Sequence, residues 1–375
     1  MKPWLIVAGD FTPLGGMDVA NHALARHLAA SGAEVHLVTH RAWPDLVEMP
    51  GVSLHEVWRP LRSHLLGGPL LARAGLREWR QLSRRHAFAI VNGGNCRIPQ
   101  ANWVHYLHAA YEPVLVRRRT KARLARRGDL LRERDALREA RVVICNSRRT
   151  RNDVAERLGV HESRLEVIYY GCDPSRFPPV TSDERTSARG TLGASDRPLV
   201  GFVGALGDRR KGFDTLFAAW LSLCARSDWD ADLVVVGSGA DRRFWQDRAR
   251  EARIDRRINF LGFRTDVPAI LAALDVLVHP ARYEAYGLSV HEAICRGVPA
   301  IVSASAGVAE HYPAALGGLL IQDPENPREL VDRLLAWRKD IEGHRSRVEK
   351  LGAQLRARTW DHMAGDIVAC IERTA

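Results

Sequence analysis

With 375 residues, 46% of them hydrophobic and 26% charged, the chain has the composition of a globular protein. It is too long for one comfortable core and suits two domains, which excludes a disordered or fibrous chain. No apolar run approaches the roughly 18 residues of a bilayer-spanning helix. The net charge of +11 comes from fifty arginines and five lysines against 44 acidic residues, a skew that biased genome composition produces without any function.

The opening MKPWLIVAGD has a short apolar stretch ending at Asp10, so it reads as a first strand and not as a signal peptide. A cytoplasmic protein is expected. That strand turns at Gly15 and Gly16 into a helical pattern, and glycine there lets backbone approach an anion at a helix N-terminus. The strand-like runs EVHLVTH, FAIVNG, WVHYLH and VVICNS follow, with helical stretches or long loops between them. A basic stripe lies over 117–141: Arg117, Arg118, Arg119, Lys121, Arg123, Arg126 and Arg127, then Arg132, Arg134, Arg138 and Arg141. It is either a solvated helix face or a surface for anionic lipid or a charged acceptor. No nucleic-acid motif accompanies it and no aromatic platform interleaves it, so no nucleic-acid partner is expected.

After the strand-like LEVIYY, the segment GCDPSRFPPVTSDERTS (171–187) is rich in Pro, Ser and charge and reads as the domain boundary. The second half repeats the alternation with LVGFVGAL, DLVVVGSG, INFLGF, DVLVHP, PAIVSA and GGLLIQ. Continuous apolar runs alternating with helices imply parallel sheets built from βαβ units. The expected fold is α/β, two doubly wound Rossmann-like domains: 1–172, then 173–357, with a terminal helix at 358–375 returning to the first. Ligands of such sheets bind beyond the carboxyl ends of the strands.

Two loops at such ends carry chemistry. In GFVGALGDRRKGFDTL, Asp208, Arg209, Arg210 and Lys211 follow a strand, and the cations are placed to hold a diphosphate. In HPARYEAYGLSVHEAICRG, Glu284 precedes Tyr286, Gly287, Leu288 and Ser289, then a helix bearing Glu292. Backbone amides opening that helix suit a phosphate without a Walker lysine. Ser289 and Glu292 also fit S-x-x-E, a capping box that needs no ligand. Gly237 and Gly239 supply two glycines of G-x-G-x-x-G, but Arg242 stands third, so a dinucleotide-dependent oxidoreductase is the weaker alternative. Cys96, Cys145, Cys172, Cys224, Cys295 and Cys370 are scattered with no C-x-x-C and no His at metal-ligand spacing. They read as reduced, mostly buried small hydrophobes, not as a disulfide framework or zinc site.

The Glu284–Glu292 pair with Y-G-L-S between and G-V-P-A-I-V-S after resembles glycosyltransferase family 4 of the GT-B fold. The motifs GG-x4-N-x3-A-x2-L, VIYYGCDPSRF, RRKGFDTL, VVVGSGAD and INFLGF resemble the family in order, over nearly the whole chain. The resemblance implies a retaining hexosyl-type transfer from a nucleoside-diphosphate sugar to an acceptor hydroxyl, in cell-surface glycan, polysaccharide or glycolipid synthesis. Glu284 would contact the donor sugar, Glu292 the ribose hydroxyls, and Lys211 with Arg209 or Arg210 the departing diphosphate. Amides of Gly16 and of Tyr286 to Ser289 would complete that cradle, and the backbone at Phe263 and Arg264 would receive the base. His108, with His105 second, would face the sugar. No metal and no cofactor is implied, the nucleotide sugar being a substrate. The implied acceptor is a glycan, a lipid-linked molecule or a small molecule; on the membrane reading of the basic stripe, 117–141 would rest on anionic lipid while such an acceptor enters. The implied reaction is front-face attack with the leaving phosphate taking the acceptor's proton. One departure stands out: Ala205 occupies the place where relatives usually carry Arg, which leaves an inactive, binding-only homologue as an alternative.

Overall fold

A computed structural model describes residues 2–12, 15–113, 120–207 and 209–374, with the backbone alone at 62, 64 and 120–125. The chain divides into two compact units: one takes the chain up to Gly171, except a short segment beginning at Pro113, together with the segment from Arg358 on; the other takes that segment and Cys172–Ala357.

In the first unit the strands are β1 (Trp4–Val7), β2 (Asp10–Phe11), β3 (Val35–Thr39), β4 (Arg41–Ala42), β5 (Val52–Glu56), β6 (Phe88–Asn92), β7 (Ala101–Val104), β8 (Val142–Cys145) and β9 (Leu165–Val167). The helices are α1 (Gly16–Ala30), α2 (Pro44–Val47), α3 (His64–Leu82), α4 (Thr120–Glu139) and α5 (Arg148–Leu158). Seven strands form one parallel sheet in the order β5-β3-β1-β6-β7-β8-β9, while β2 and β4 make a short separate ribbon. Every residue of β1, β6, β7 and β8 is buried, as a parallel sheet covered on both faces requires. The strand order reverses between β1 and β6, and that is where a crevice opens beyond the strand ends.

The second unit runs α6 (Ser182–Thr191), β10 (Leu199–Val203), α7 (Phe213–Cys224), β11 (Asp232–Val236), α8 (Arg242–Glu251), β12 (Ile258–Gly262), α9 (Val267–Ala273), β13 (Val276–His279), α10 (Leu288–Cys295), β14 (Ala300–Ser303), β15 (Leu320–Ile321), α11 (Pro327–Lys339) and α12 (Ile341–Ala357). Its parallel sheet has the order β12-β11-β10-β13-β14-β15. The reversal falls between β10 and β13, the two strands that lead into the charged loops. The last helix, α13 (Trp360–Thr374), belongs to the first unit. There His27 of α1 meets Asp361 at 3.1 Å, and the Trp360 ring lies 5.9 Å from that of Tyr170. A Cβ at Gly171 would come within 2.3 Å of the Thr359 carbonyl oxygen, so only glycine lets the two passing segments touch.

The expected boundary segment 171–187 is not all linker, because its second part is helix α6. Thr181 accepts a hydrogen bond from the Glu184 amide at 3.2 Å, and Asp183 and Glu184 occupy the first turn. The composition that suggested a linker is that of a capped helix start. Two residues of α6 then bind the buried Asp275, whose carboxylate meets Arg185 at 3.5 Å, Arg189 at 3.0 Å, the Leu199 amide at 2.6 Å, and Arg345. Asp275→Ala leaves the Leu199 amide without its acceptor and removes the shared carboxylate from three guanidinium groups, which keep their contacts to Leu274, Ser195 and Glu342. An expected loss of about 3–5 kcal/mol is measurable by urea titration; a loss under about 1 kcal/mol would show that the cluster holds nothing together.

Candidate active site

In the second unit, β10 ends at Val203 and the loop behind it is held by contacts that only glycine permits. A Cβ at Gly212 (φ 71°) would fall 1.8 Å from the Pro280 carbonyl oxygen, just beyond β13. A Cβ at Gly237 would lie 1.9 Å from the Gly204 carbonyl oxygen, and one at Gly239 would lie 2.0 Å from that of Leu206. The glycines of VVVGSGAD are therefore explained by the close approach of two loops. Arg242, in place of a third glycine, donates to the Phe260 carbonyl at 3.0 Å. This removes the motif's support for a dinucleotide-binding oxidoreductase.

Lys211, brought round by that turn, pairs with the Glu284 carboxylate, which also accepts from His279 Nε2 at 2.8 Å. Glu284 is 9% exposed and His279 is fully buried. Burial works to raise the Glu284 pKa, but the Lys211 ammonium, the His279 hydrogen bond and Arg210 outweigh it and hold the carboxyl well below its usual range. Burial lowers the His279 pKa more than Glu284 raises it, so the ring is neutral and donates through Nε2. Arg210 reaches toward the Tyr283 carbonyl at 3.5 Å and acts on both Glu284 and His279. Arg209 lies 4.0 Å from Asp214 and its backbone is left-handed (φ 57°). Of the two arginines, Arg210 is the one electrostatically joined to Glu284. Arg282 fixes the loop from below, donating to the Arg209 carbonyl at 2.7 Å and to both oxygens of Asp214. Ala205 is exposed, and Asp208 lies outside the described residues.

The loop after Glu284 is stapled to the chain beyond β14: the Gly307 amide donates to the Glu284 carbonyl at 3.2 Å and the Val308 amide to that of Tyr286 at 2.7 Å. Gly287 (φ 111°) is the N-cap of α10, with no side-chain cap. The capping box expected of Ser289 and Glu292 does not form, because the helix begins at Leu288 and places Ser289 inside it. The amides of Leu288 and Ser289 thus stand in the first turn, where no intrahelical acceptor exists. Glu292, half-buried and uninvolved in capping, has its pKa raised to about 7 by burial, against the pull of Arg176. Beyond β12 the Phe263 ring is exposed and Arg264 is paired with Asp266. Ends of β12, β10 and β13 line one edge of the sheet, so Phe263, Lys211 and Glu284 follow in that order along it.

In the first unit Gly16 begins α1, and its N-cap Gly15 (φ 90°) faces open space apart from Asp18. Asp18 has its pKa raised to about 7 by burial and by Asp10, while Arg41 and Arg59 pull the other way. His108 and His105 differ sharply. His105 is buried against Trp103, its Nδ1 meets the Tyr170 hydroxyl at 2.5 Å, and burial lowers its pKa to about 3. It is a neutral core histidine. His108 is exposed, and its Nδ1 meets Glu133 at 2.9 Å. Burial opposes its charge, but Glu133 prevails and raises the pKa. Glu133, 1% exposed, also accepts the His108 and Ala109 amides at 2.9 and 3.1 Å. Glu133→Gln is expected to lower the His108 pKa, read by NMR titration of the imidazole; an unchanged value would detach Glu133 from it. Both histidines line a cavity of about 390 Å³ beyond the strand ends, with Met17, Asn92 and Trp103.

The basic stripe is partly spent inside the unit. Arg126 donates to the Tyr111 carbonyl and Arg138 to that of Leu158, each at 2.7 Å, and Arg132 pairs with Asp129. Arg127 and Arg141 are exposed. Arg117, Arg118 and Arg119 lie outside the described residues, as do the side chains of Lys121 and Arg123. Among the described residues no helix is long and apolar enough to cross a membrane. The cysteines are all free, and five of the six are buried. The absence of a His at metal-ligand spacing is not upheld: His291 and Cys295 share one face of α10, and Cys172 joins them.

Two family models match the chain: Glycosyltransferase Family 4 over residues 14–176, and Glycosyl transferases group 1 over 184–354. The 2-deoxystreptamine N-acetyl-D-glucosaminyltransferase of Streptomyces fradiae is 30% identical over 351 residues, covering 83% of this chain and 80% of the relative. A D-inositol 3-phosphate glycosyltransferase of Salinispora tropica is 27% identical over 395 residues, covering 94% and 80%. Among solved structures, WaaG, a glycosyltransferase involved in lipopolysaccharide biosynthesis, matches with a TM-score of 0.78 at 20% identity, covering 98% of this chain and 99% of that one. Anabaena HepE, in complex with UDP and glucose, matches at 0.74 and 19% identity, covering 99% and 100%. Two doubly wound units, matched end to end by such structures, define the GT-B fold. The chain belongs to the glycosyltransferases of family 4 type and is a nucleotide-sugar-dependent hexosyltransferase.

Proposed function

We propose that the chain transfers a hexosyl group from a nucleoside-diphosphate sugar to an acceptor hydroxyl with retention at the anomeric carbon. The observation that carries this reading is the Lys211–Glu284–His279 cluster at the strand-order reversal of the second unit. As the glycosidic bond breaks, negative charge gathers on the diphosphate. Lys211, Arg210 and the amides of Gly287, Leu288 and Ser289 meet it as a preorganised field, the usual largest source of rate enhancement. Arg210 thereby takes the place of the cation missing at Ala205, with Arg209 holding the loop.

The donor is already activated by its leaving group, so a glycosidase-type acid is unnecessary. The leaving phosphate takes the acceptor's proton, and no metal takes part at the diphosphate. Glu284, kept ionised, holds a donor-sugar hydroxyl. Glu292 holds the ribose, and the backbone at Phe263 and Arg264 the base. In the first unit Gly16 is assigned to the diphosphate and His108 to the sugar, His108 donating through its Nε2 side.

Lipopolysaccharide biosynthesis in the names of WaaG and of a Rhizobium meliloti mannosyltransferase favours an acceptor in cell-surface glycan synthesis, and the proposal places the reaction on the cytoplasmic side. A small cyclitol acceptor is the second reading. It is favoured by the cavity of about 390 Å³ in the first unit and by the acceptors in the names of the Streptomyces and Salinispora relatives.

NMR of the product tests both points, using UDP-, GDP- and ADP-hexoses with lipopolysaccharide core, inositol phosphate and 2-deoxystreptamine as acceptors. An α-linked product from an α-linked donor is expected. An inverted product would contradict the proposed chemistry.

A further inference from the structure

Cys172, His291 and Cys295 each present one ligand atom, and the three atoms lie within 4.8 Å of one another. All three residues are buried, at 3%, 1% and 0% exposure. His291 and Cys295 are one helical turn apart on α10 and so face the same side. Cys172 comes from the first residue of the second unit's main segment. The imidazole is already oriented: its Nδ1 meets the Tyr286 hydroxyl at 2.7 Å. Its Nε2 is buried and has no hydrogen-bond partner. A buried ring nitrogen without a partner is unfavourable, and a hydrogen bond at the other ring nitrogen is what fixes the orientation of a ligating histidine.

We propose that Cys172, Cys295 and His291 Nε2 bind a Zn²⁺ ion that ties the start of the second unit to α10. Two thiolates and one imidazole are a donor set that soft, thiophilic ions prefer over Mg²⁺ or Ca²⁺. Charge selects among those ions. Two thiolates neutralise Zn²⁺, whereas Cu⁺ would leave a net negative charge in a buried site, which is costly. Zinc–sulfur bonds of about 2.3 Å put two ligands of a tetrahedron about 3.8 Å apart, so the three side chains need to close by about 1 Å. A water completes the fourth position. Both thiols lose their protons on binding, and the ion replaces them. The site sits on the helix that carries Glu292, yet its ligands are not the groups assigned to the diphosphate. Its role is to hold α10 in place, and it stands whether or not the proposed transfer chemistry is right.

The test uses the full chain, reduced, stripped with chelator and then given Co²⁺ or Zn²⁺ at one equivalent. Co²⁺ is expected to produce thiolate charge-transfer absorption, displaced by Zn²⁺, with about one zinc retained per chain after desalting. Cys172→Ala and Cys295→Ala should lose that retention, Cys370→Ala should keep it, and Tyr286→Phe should weaken it about 10–100-fold. Circular dichroism reports whether each variant folds. If a cysteine variant does not fold, the wild-type cobalt spectrum decides alone. No thiolate band with Co²⁺, displacement by Cu⁺ but not by Zn²⁺, or full zinc retention in folded Cys172→Ala and Cys295→Ala would each overturn the proposal.

Discussion

Lys211→Ala is expected to lower kcat by about 10²–10³, the loss typical of removing one preorganised group from developing negative charge. Stability falls too. Without the ammonium, the buried Glu284 carboxylate keeps only the His279 hydrogen bond and the field of Arg210, and breaking a buried pair from one side costs about 3–5 kcal/mol. The two effects separate in the double variant Lys211→Ala/Glu284→Gln. Its carboxamide carries no charge to strand, so most of the stability returns while the rate does not. Nucleotide release measured in saturating donor, beside thermal unfolding, reads both quantities. If the double variant recovered rate along with stability, Lys211 would be a counter-ion for Glu284 and nothing more.

The second large effect concerns Glu292, whose pKa is raised from 4.5 to about 7 by burial. A carboxyl with a raised folded-state pKa binds its proton more tightly in the native chain than in the unfolded one. Its contribution to stability is therefore complete below about pH 4.5 and is lost as pH rises toward and through about 7. Glu292→Gln should remove that decline, leaving a flatter stability profile between those limits. Nucleotide binding should run the opposite way in the wild type. On the proposed role, ribose hydroxyls would donate to the ionised carboxylate, so affinity should rise with pH over the same window and Glu292→Gln should abolish the dependence. Affinity that falls with pH in the wild type and equally in the variant would show that Glu292 does not receive the ribose.

What was legible in the sequence follows from where each residue sits in the sheets. Strands buried on both faces, such as Trp4–Val7 and Val142–Cys145, leave unbroken apolar runs, and their alternation with helices leads to the parallel fold. The edge strand Val52–Glu56 carries Ser53, His55 and Glu56 and is only partly buried, so its run is mixed and it passed as loop. Helix α6 was hidden by the same Ser, Asp and Glu that cap it.

Charged residues beside glycines pointed to Lys211 and Glu284, because both proposed roles need a particular residue type beyond a strand end. His279 was missed although it closes the apolar run VLVH, since a histidine ending a strand is indistinguishable in sequence from one more buried residue. Glu133 was hidden among arginines on α4, and only the fold shows that it, not the arginines, orients His108. Ser289 and Glu292 matched a cap on paper. The left-handed backbone at Gly287 starts the helix two residues earlier and leaves Glu292 uninvolved in capping. Cys172 and His291 are far apart in the chain, so their meeting could not be read from spacing.

Calorimetry of UDP, GDP and ADP against the wild-type chain and Glu292→Ala tests the donor site most directly. One nucleoside diphosphate is expected to bind, with an affinity about 10–100-fold lower in the variant for the loss of hydrogen bonds to a charged group. Folded wild-type protein that binds none of the three would contradict the account and turn attention to Ala205, leaving the chain a homologue that has lost its donor.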